Sequence, residues 1–163
     1  MHSLIVALFA FASAVSADSD RKHEQRRIEM MMPMRDGVKL QTLIILPRNF
    51  EGKTFTAIVD RSPYGYFDLE WVADIFLPFG FVSVGQDMRG TAISEGNFSL
   101  WQSDANDSED LGNWIVSQPW SNGKIFTLGA SADGIGSLQT IVNNPSWLWA
   151  QYIIWYFYFF LLV

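Results

Sequence analysis

No cysteine occurs among the 163 residues. That excludes a disulfide scaffold, a thiol nucleophile and any cysteine-based zinc or iron–sulfur site. Histidine is nearly as scarce. There are two, His2 and His23, both close to the start. A mechanism needing a histidine late in the chain cannot be completed by this polypeptide alone. Positive charge is also short: 11 Lys and Arg against 17 Asp and Glu leave a net charge of −6. With no basic patch, no nucleic acid is expected as a partner. Internal repeats and low-complexity linkers are absent as well. What is present is apolar surface. Hydrophobic types make up 49% and aromatics 15%, enough to offset the entropy of ordering a chain of one-domain length.

The two ends read differently from the middle. Leu4 to Ala14 is an apolar run followed by small residues, with Val15 and Ala17 at the −3 and −1 positions of a signal-peptidase site. Residues 1–17 are therefore expected to be a secretory signal peptide, too short for a membrane span and lacking Lys or Arg in its n-region. Localisation is expected to be secreted or in the endomembrane lumen. The sequons Asn97-Phe98-Ser99 and Asn106-Asp107-Ser108 agree with that route. Residues 18–27 form a polar lead-in. From Trp147 to Val163 no charge occurs. The beginning of this stretch reads as a buried strand. Residues 151–163 read as an apolar aromatic tail, partly foreign to what precedes it. It falls short of about 20 residues and Gln151 interrupts it, so membrane contact through it is marginal.

Between the ends, strand-like and helix-like segments alternate. Ile28–Met34 and Leu40–Leu46 flank the turn signal Arg35-Asp36-Gly37 and read as a β-hairpin. Phe55–Val59, Phe81–Val84 and Lys124–Leu128 read as strands. Leu69–Phe79 carries apolar residues at helical spacing, with Gly80 as its stop. Asp104–Ser117 is a helix with acidic residues in its first turns and Leu111, Trp114 and Ile115 on one face. Ile135–Val142 is a further helix, closed by Asn143-Asn144-Pro145. The fold class expected is α/β, a mainly parallel sheet with an antiparallel N-terminal hairpin. No cofactor or metal site is expected. The carboxylates Asp104, Asp107, Glu109 and Asp110 crowd one helix start, where capping and a dipole role account for them.

The segment that carries chemistry is Gly129-Ala130-Ser131-Ala132-Asp133-Gly134, between a strand and a helix. It is close to the nucleophile elbow Gly-x-Ser-x-Gly, with the second glycine one residue late. A serine forced into a sharp strand-to-helix turn needs small neighbours, and Gly129, Ala130 and Ala132 meet that need. The turn also aims helix N-terminal N–H groups at a developing oxyanion.

Further segments fall in order around it: Pro33 to Leu40; Arg61-Ser62-Pro63-Tyr64-Gly65; Gly85 to Gly90; Ser94-Glu95-Gly96; Asp107, Asp110 and Trp114; and Gln118 to Gly123. This series resembles the N-terminal part of the Xaa-Pro dipeptidyl-peptidase-like, cocaine-esterase-type α/β-hydrolases, over roughly residues 28–150. The resemblance implies that Ser131 is the nucleophile and that the Ala132 backbone N–H is one oxyanion donor. The family usually has tyrosine at position 132; alanine keeps the backbone donor. Tyr64 matches the tyrosine whose hydroxyl is the second donor. Asp87, Arg89 and the Ser94-Glu95-Gly96 turn match bracing elements.

The triad acid and base have no match in this chain. Asp133 is the one acidic residue after Ser131 and lies within the elbow, and His23 precedes the fold. The expectation is a serine hydrolase acting on a small-molecule or peptide substrate, truncated before its triad Asp and His and inactive as given. The alternative is a non-catalytic secreted or membrane-associated pseudo-hydrolase fragment.

Overall fold

The computed structural model describes residues 25–66 and 69–154. The expected leader, most of the lead-in and residues 155–163 lie outside them. The elements in chain order are β1 (Gln25–Pro33), β2 (Lys39–Pro47), β3 (Phe55–Ser62), α1 (Leu69–Phe76) with a 3-10 turn at Leu77–Phe79, β4 (Phe81–Asp87), α2 (Asp104–Val116), β5 (Ser121–Ala130), α3 (Ala132–Gln139) and β6 (Leu148–Ile154). The six strands form one sheet in the order β1-β2-β4-β3-β5-β6. β1 pairs with β2 and β2 with β4 antiparallel; β4, β3, β5 and β6 run parallel.

Each element follows from its residues. β2 lies between β1 and β4, so both of its edges are paired, and nearly every residue is buried. Period-2 alternation sends Leu40, Ile44 and Leu46 to one face and Leu43 and Ile45 to the other. Its hairpin with β1 closes through Gly37, at φ 84°, a conformation that glycine adopts without a Cβ penalty. The first face packs Val59, Val82, Val84 and Ile125 against Leu111 and Ile115 of α2. The opposite face packs Leu43, Ile45 and Ile58 against Leu69, Val72 and Ala73 of α1. Helices on both faces are what parallel pairing requires.

Four expectations shift. β1 opens at Gln25, inside the stretch expected to be a polar lead-in. There Arg27 reaches Glu70 of α1 at 2.7 Å and Arg26 lies over the Phe50 ring. The last helix runs from Ala132 to Gln139 rather than from Ile135 to Val142. Gly134 reads as a turn residue in the sequence, and in the structure it is where the helix crosses the sheet closely. β6 extends to Ile154, in parallel register with β5 from Ile125↔Leu148 to Ala130↔Ile154, so the sheet takes in residues beyond the boundary expected at 150.

The fourth shift concerns the carboxylates of α2. Its N-cap, Ser103, makes no side-chain capping bond. Asp104 and Asp107 are instead buried against Arg61 and Arg89, and Glu109 and Asp110 hold Arg35. Charges that deep need a counter-ion, which a helix dipole alone does not supply.

Trp147 anchors β6. It is 7% exposed and its Nε1 donates to Asn113 Oδ1 at 3.0 Å. Its ring packs on Gly112 of α2, in the space a Cβ at that position would need.

Candidate active site

The site is built at the carboxyl ends of β3, β4 and β5. β5 runs out at Ala130, and the next residue, Ser131, turns the chain with φ 53° and ψ −119°. Non-glycine residues reach that region only at a cost of about 1–3 kcal/mol, and only where the surroundings enforce it. Two hydrogen bonds do so. The Ser131 N–H donates to the Ile154 carbonyl of β6 at 2.9 Å, and the Ser131 carbonyl accepts from the Ile135 N–H at 3.2 Å.

Both glycines of the segment permit the close approach of α3. A Cβ on Gly129 would stand 2.7 Å from Gly134 N and closer still to the Asp133 carbonyl. A Cβ on Gly134 would meet the Gly129 carbonyl and Ile153 at 3.2 Å. Here α3 crosses the strands at its third residue, which accounts for the second glycine standing one position late.

Ser131 is half-buried. Ala132 opens α3, so its N–H belongs to the first helical turn, where backbone donors have no partner within the helix. Trp101, which the sequence did not single out, clamps the same residue. Its Nε1 donates to the Ala132 carbonyl at 3.2 Å. The loop before it is tight: Leu100 has φ 55°, and Gly90 lies so close to the Phe98 backbone N that no Cβ fits between them.

Tyr64 sits in the loop after β3, the strand paired with β5, so the topology brings its loop and the Ser131 turn to the same end of the sheet. Its backbone N–H donates to Ser62 Oγ at 3.1 Å and its side chain is largely exposed.

Beneath this end of the sheet lies a set of ion pairs. Arg61, two residues before Pro63, is buried. Its Nη1 donates to Asp104 Oδ1 at 2.9 Å and Ser108 Oγ at 2.8 Å, and its Nε to Gln86 Oε1 at 2.9 Å. Burial pushes the Asp104 carboxyl up, and the Arg61 charge works against that. Arg89 joins the Asp36 turn to α2, donating to Asp36 Oδ2 and Asp107 Oδ1, each at 2.7 Å. Glu95 and Ser94 complete the brace: Glu95 Oε2 accepts from Lys39 N–H at 3.0 Å, and Ser94 Oγ accepts from Gln41 N–H at 2.9 Å. Asp87 is buried, and desolvation holds its carboxyl up at about 6 against the opposing effect of the Tyr66 N–H.

On the α1 side of the elbow an apolar cavity of about 480 Å³ is lined by Trp71, Ile75, Phe76, Phe126 and Tyr152 together with Gly129 and Asp133. Among the described residues no group of three or more His, Asp or Glu stands ready to hold a metal ion. Likewise, no described helix is long and apolar enough to cross a membrane.

Residues 36–155 match the family model described as X-Pro dipeptidyl-peptidase, S15 family. The chain belongs to the S15 family. Its members are esterases and peptidases, and this S15 chain is 34% identical over 123 residues to the cocaine esterase of Rhodococcus sp. (strain MB1 Bresler), covering 71% of this chain and 21% of that protein. Among solved structures, an α-amino acid ester hydrolase superposes with a TM-score of 0.71 at 28% identity, over 78% of this chain and 25% of that one. An aminopeptidase from a marine sediment Thaumarchaeota archaeon superposes with a TM-score of 0.68 at 29% identity, again over 78% and 25%. The S15 chain thus spans about a fifth of the curated relative and a quarter of each structure. Over that span its sheet and helices are those of the N-terminal part of an α/β-hydrolase, with β1 and β2 as the antiparallel hairpin and β3 to β6 parallel.

Proposed function

We propose that this chain carries the nucleophile and oxyanion donors of a hydrolase that cleaves a peptide, ester or amide through an acyl-Ser131 intermediate. The observation that carries the reading is the backbone of Ser131, held at positive φ between β5 and the N-terminus of α3. In this reading Ser131 Oγ attacks the substrate carbonyl carbon while its proton passes to a base. The resulting oxyanion accepts hydrogen bonds from the Ala132 N–H and the Tyr64 hydroxyl, donors of a kind worth about 3–4 kcal/mol each. Collapse of the tetrahedral intermediate expels the alcohol or amine, which takes the proton, and water then releases the acid by the same steps.

No histidine follows His23, so the base and its acid are assigned to groups outside this sequence. Triads that lose a member keep about 10³–10⁴-fold catalysis over water, which sets the expectation for the chain alone. Export through a leader at 1–17 belongs to the same proposal, and recovery of a mature N-terminus at Asp18 from a secreting host would support it.

A fluorophosphonate probe, with and without added imidazole as a substitute base, tests the chemistry. The expected result is a covalent adduct at Ser131, formed faster with imidazole and absent in Ser131→Ala. No adduct under either condition, or an adduct at another residue, would overturn the reading. The histidine distribution favours a second reading, a non-catalytic member of the family. Imidazole-accelerated labelling of Ser131 would exclude it.

A further inference from the structure

We propose that Asp87 is a positioning residue for the loop that carries Tyr64, fixing that loop through the Tyr66 backbone and loosening it when its carboxyl takes up a proton. The inference deepens the oxyanion role proposed for Tyr64 and rests on it. Asp87 is the last residue of β4 and is 2% exposed. Its register partner is Ser62, where β3 ends and the loop begins. Its backbone is pinned from two sides. Ser94 Oγ donates to the Asp87 carbonyl at 2.9 Å, and the next residue's N–H, that of Met88, donates to the Ser62 carbonyl at 2.9 Å. The Tyr66 N–H acts on its side-chain carboxyl, drawing it down against burial, and the carboxyl Oδ1 is buried without a hydrogen-bond partner among the described residues.

Tyr66 is fixed in three further ways. Its phenol oxygen accepts from Gln41 Nε2 at 2.8 Å, and its carbonyl accepts from the Leu69 N–H at 3.0 Å. Its Cβ fills the space beside Gly85, 2.9 Å from where a Cβ on that glycine would stand. Tyr64 hangs between these anchors, joined to Ser62 Oγ through its own N–H. Both ends of its loop are thus held at the end of β4, the Ser62 end by the Met88 N–H and the Tyr66 end beside Gly85 and the Asp87 carboxyl.

The carboxyl titrates in a useful range because burial holds it near 6, and the Tyr66 N–H is the one group that draws it back down. The charged and titratable groups on this side of the sheet include, among the described residues, Arg27 of β1, Asp60 of β3, the Tyr66 phenol, Glu70 and Asp74 of α1, and Asp133 and Tyr152 beside the cavity. Glu70 is occupied by Arg27 and Asp74 by Gln25. From the following loop, Glu95 is bound to the Lys39 N–H. Arg61 and Arg89 turn to the opposite face, toward Asp104 and Asp107. A hydrogen bond to a carboxylate is roughly twice as strong as one to a neutral acceptor, so protonation weakens the hold on Tyr66 without creating a new charge.

The experiment uses the full-length chain, isotope-labelled, and follows the Asp87 carboxyl carbon, the Tyr66 amide and its hydrogen exchange between pH 4.5 and 8. Exchange is corrected for the intrinsic rate. In parallel, Ser131 labelling by a fluorophosphonate is measured across the same range. The expected result is a Tyr66 amide that titrates together with the Asp87 carboxyl. Its exchange should quicken about tenfold below the midpoint, while the interior of β4 stays protected. Asp87→Asn keeps the size of the side chain and should be flat with pH, fixed at the faster exchange. Ser131 labelling should fall through the same midpoint in the parent chain and show no such step in Asp87→Asn. A Tyr66 amide indifferent to Asp87 titration, or labelling that keeps its full pH profile in Asp87→Asn, would overturn the proposal. If Tyr66 titrates as stated but Ser131 is never labelled, the hold on the loop stands and the hydrolase reading is what fails.

Discussion

Replacing Arg61 with methionine tests the ion pairs beneath the site. The guanidinium is 4% exposed and its main partner, Asp104, is 2% exposed. Methionine fills much of the same volume but leaves the Asp104 carboxylate without its 2.9 Å counter-ion, and Ser108 and Gln86 without their donor. Stranding a buried charge in this way costs about 3–5 kcal/mol.

The sign of the pH dependence follows from Asp104. Its carboxyl is already raised by burial, with the Arg61 charge as the main opposing influence, and losing Arg61 raises it further. The folded chain then holds that proton more tightly than the unfolded chain, whose value is near 3.9. The charged form therefore costs stability at neutral pH, and the cost shrinks as the pH falls through the folded value. Urea unfolding of Arg61→Met, followed by tryptophan fluorescence, should show a deficit of about 3–5 kcal/mol at pH 8 and about half of that at pH 5. Adding Asp104→Asn should restore much of the loss at pH 8. An equal deficit at both pH values, or one below about 1 kcal/mol at pH 8, would refute the reasoning.

Other perturbations give equally definite outcomes. Ser131→Gly should stabilise the chain by about 1 kcal/mol, because glycine adopts φ 53° without strain, and should abolish fluorophosphonate labelling; thermal melting with mass spectrometry reads both. Gly112→Ala should lower stability by about 1–3 kcal/mol by driving a methyl into the Trp147 ring, and Gly112→Ala with Trp147→Leu should recover part of it. Trp101→Phe keeps an aromatic ring but removes the donor to the Ala132 carbonyl. It should slow Ser131 labelling several-fold while costing about 1 kcal/mol or less in urea unfolding.

Much of the architecture was legible because it is local. The alternating apolar residues of β2, the Asp36-Gly37 turn and the Gly80 stop after α1 are each decided by neighbours in sequence. The elbow was legible because its glycines are demanded by a close approach within six residues, from Gly129 to Gly134. The order of the strands was not, since β2 lies beside β4 and β3 lies between β4 and β5. The acidic cluster of α2 misled for the same reason. Its partners Arg35, Arg61 and Arg89 come from a turn, a strand end and a loop, and the sheet brings them together only after it has formed. Trp101 gave no signal either, because its partner is a backbone carbonyl of Ala132, a group that every residue possesses.

The bond from the Ser131 amide to the Ile154 carbonyl makes the posture of the serine depend on the far end of β6. A shortened product stopping a few residues before position 154 would still encode the serine, the small neighbours and the following helix. Without that clip, the turn is free to slump into a commoner conformation. Inventories of such proteins by motif alone would then count a hydroxyl that has lost its footing.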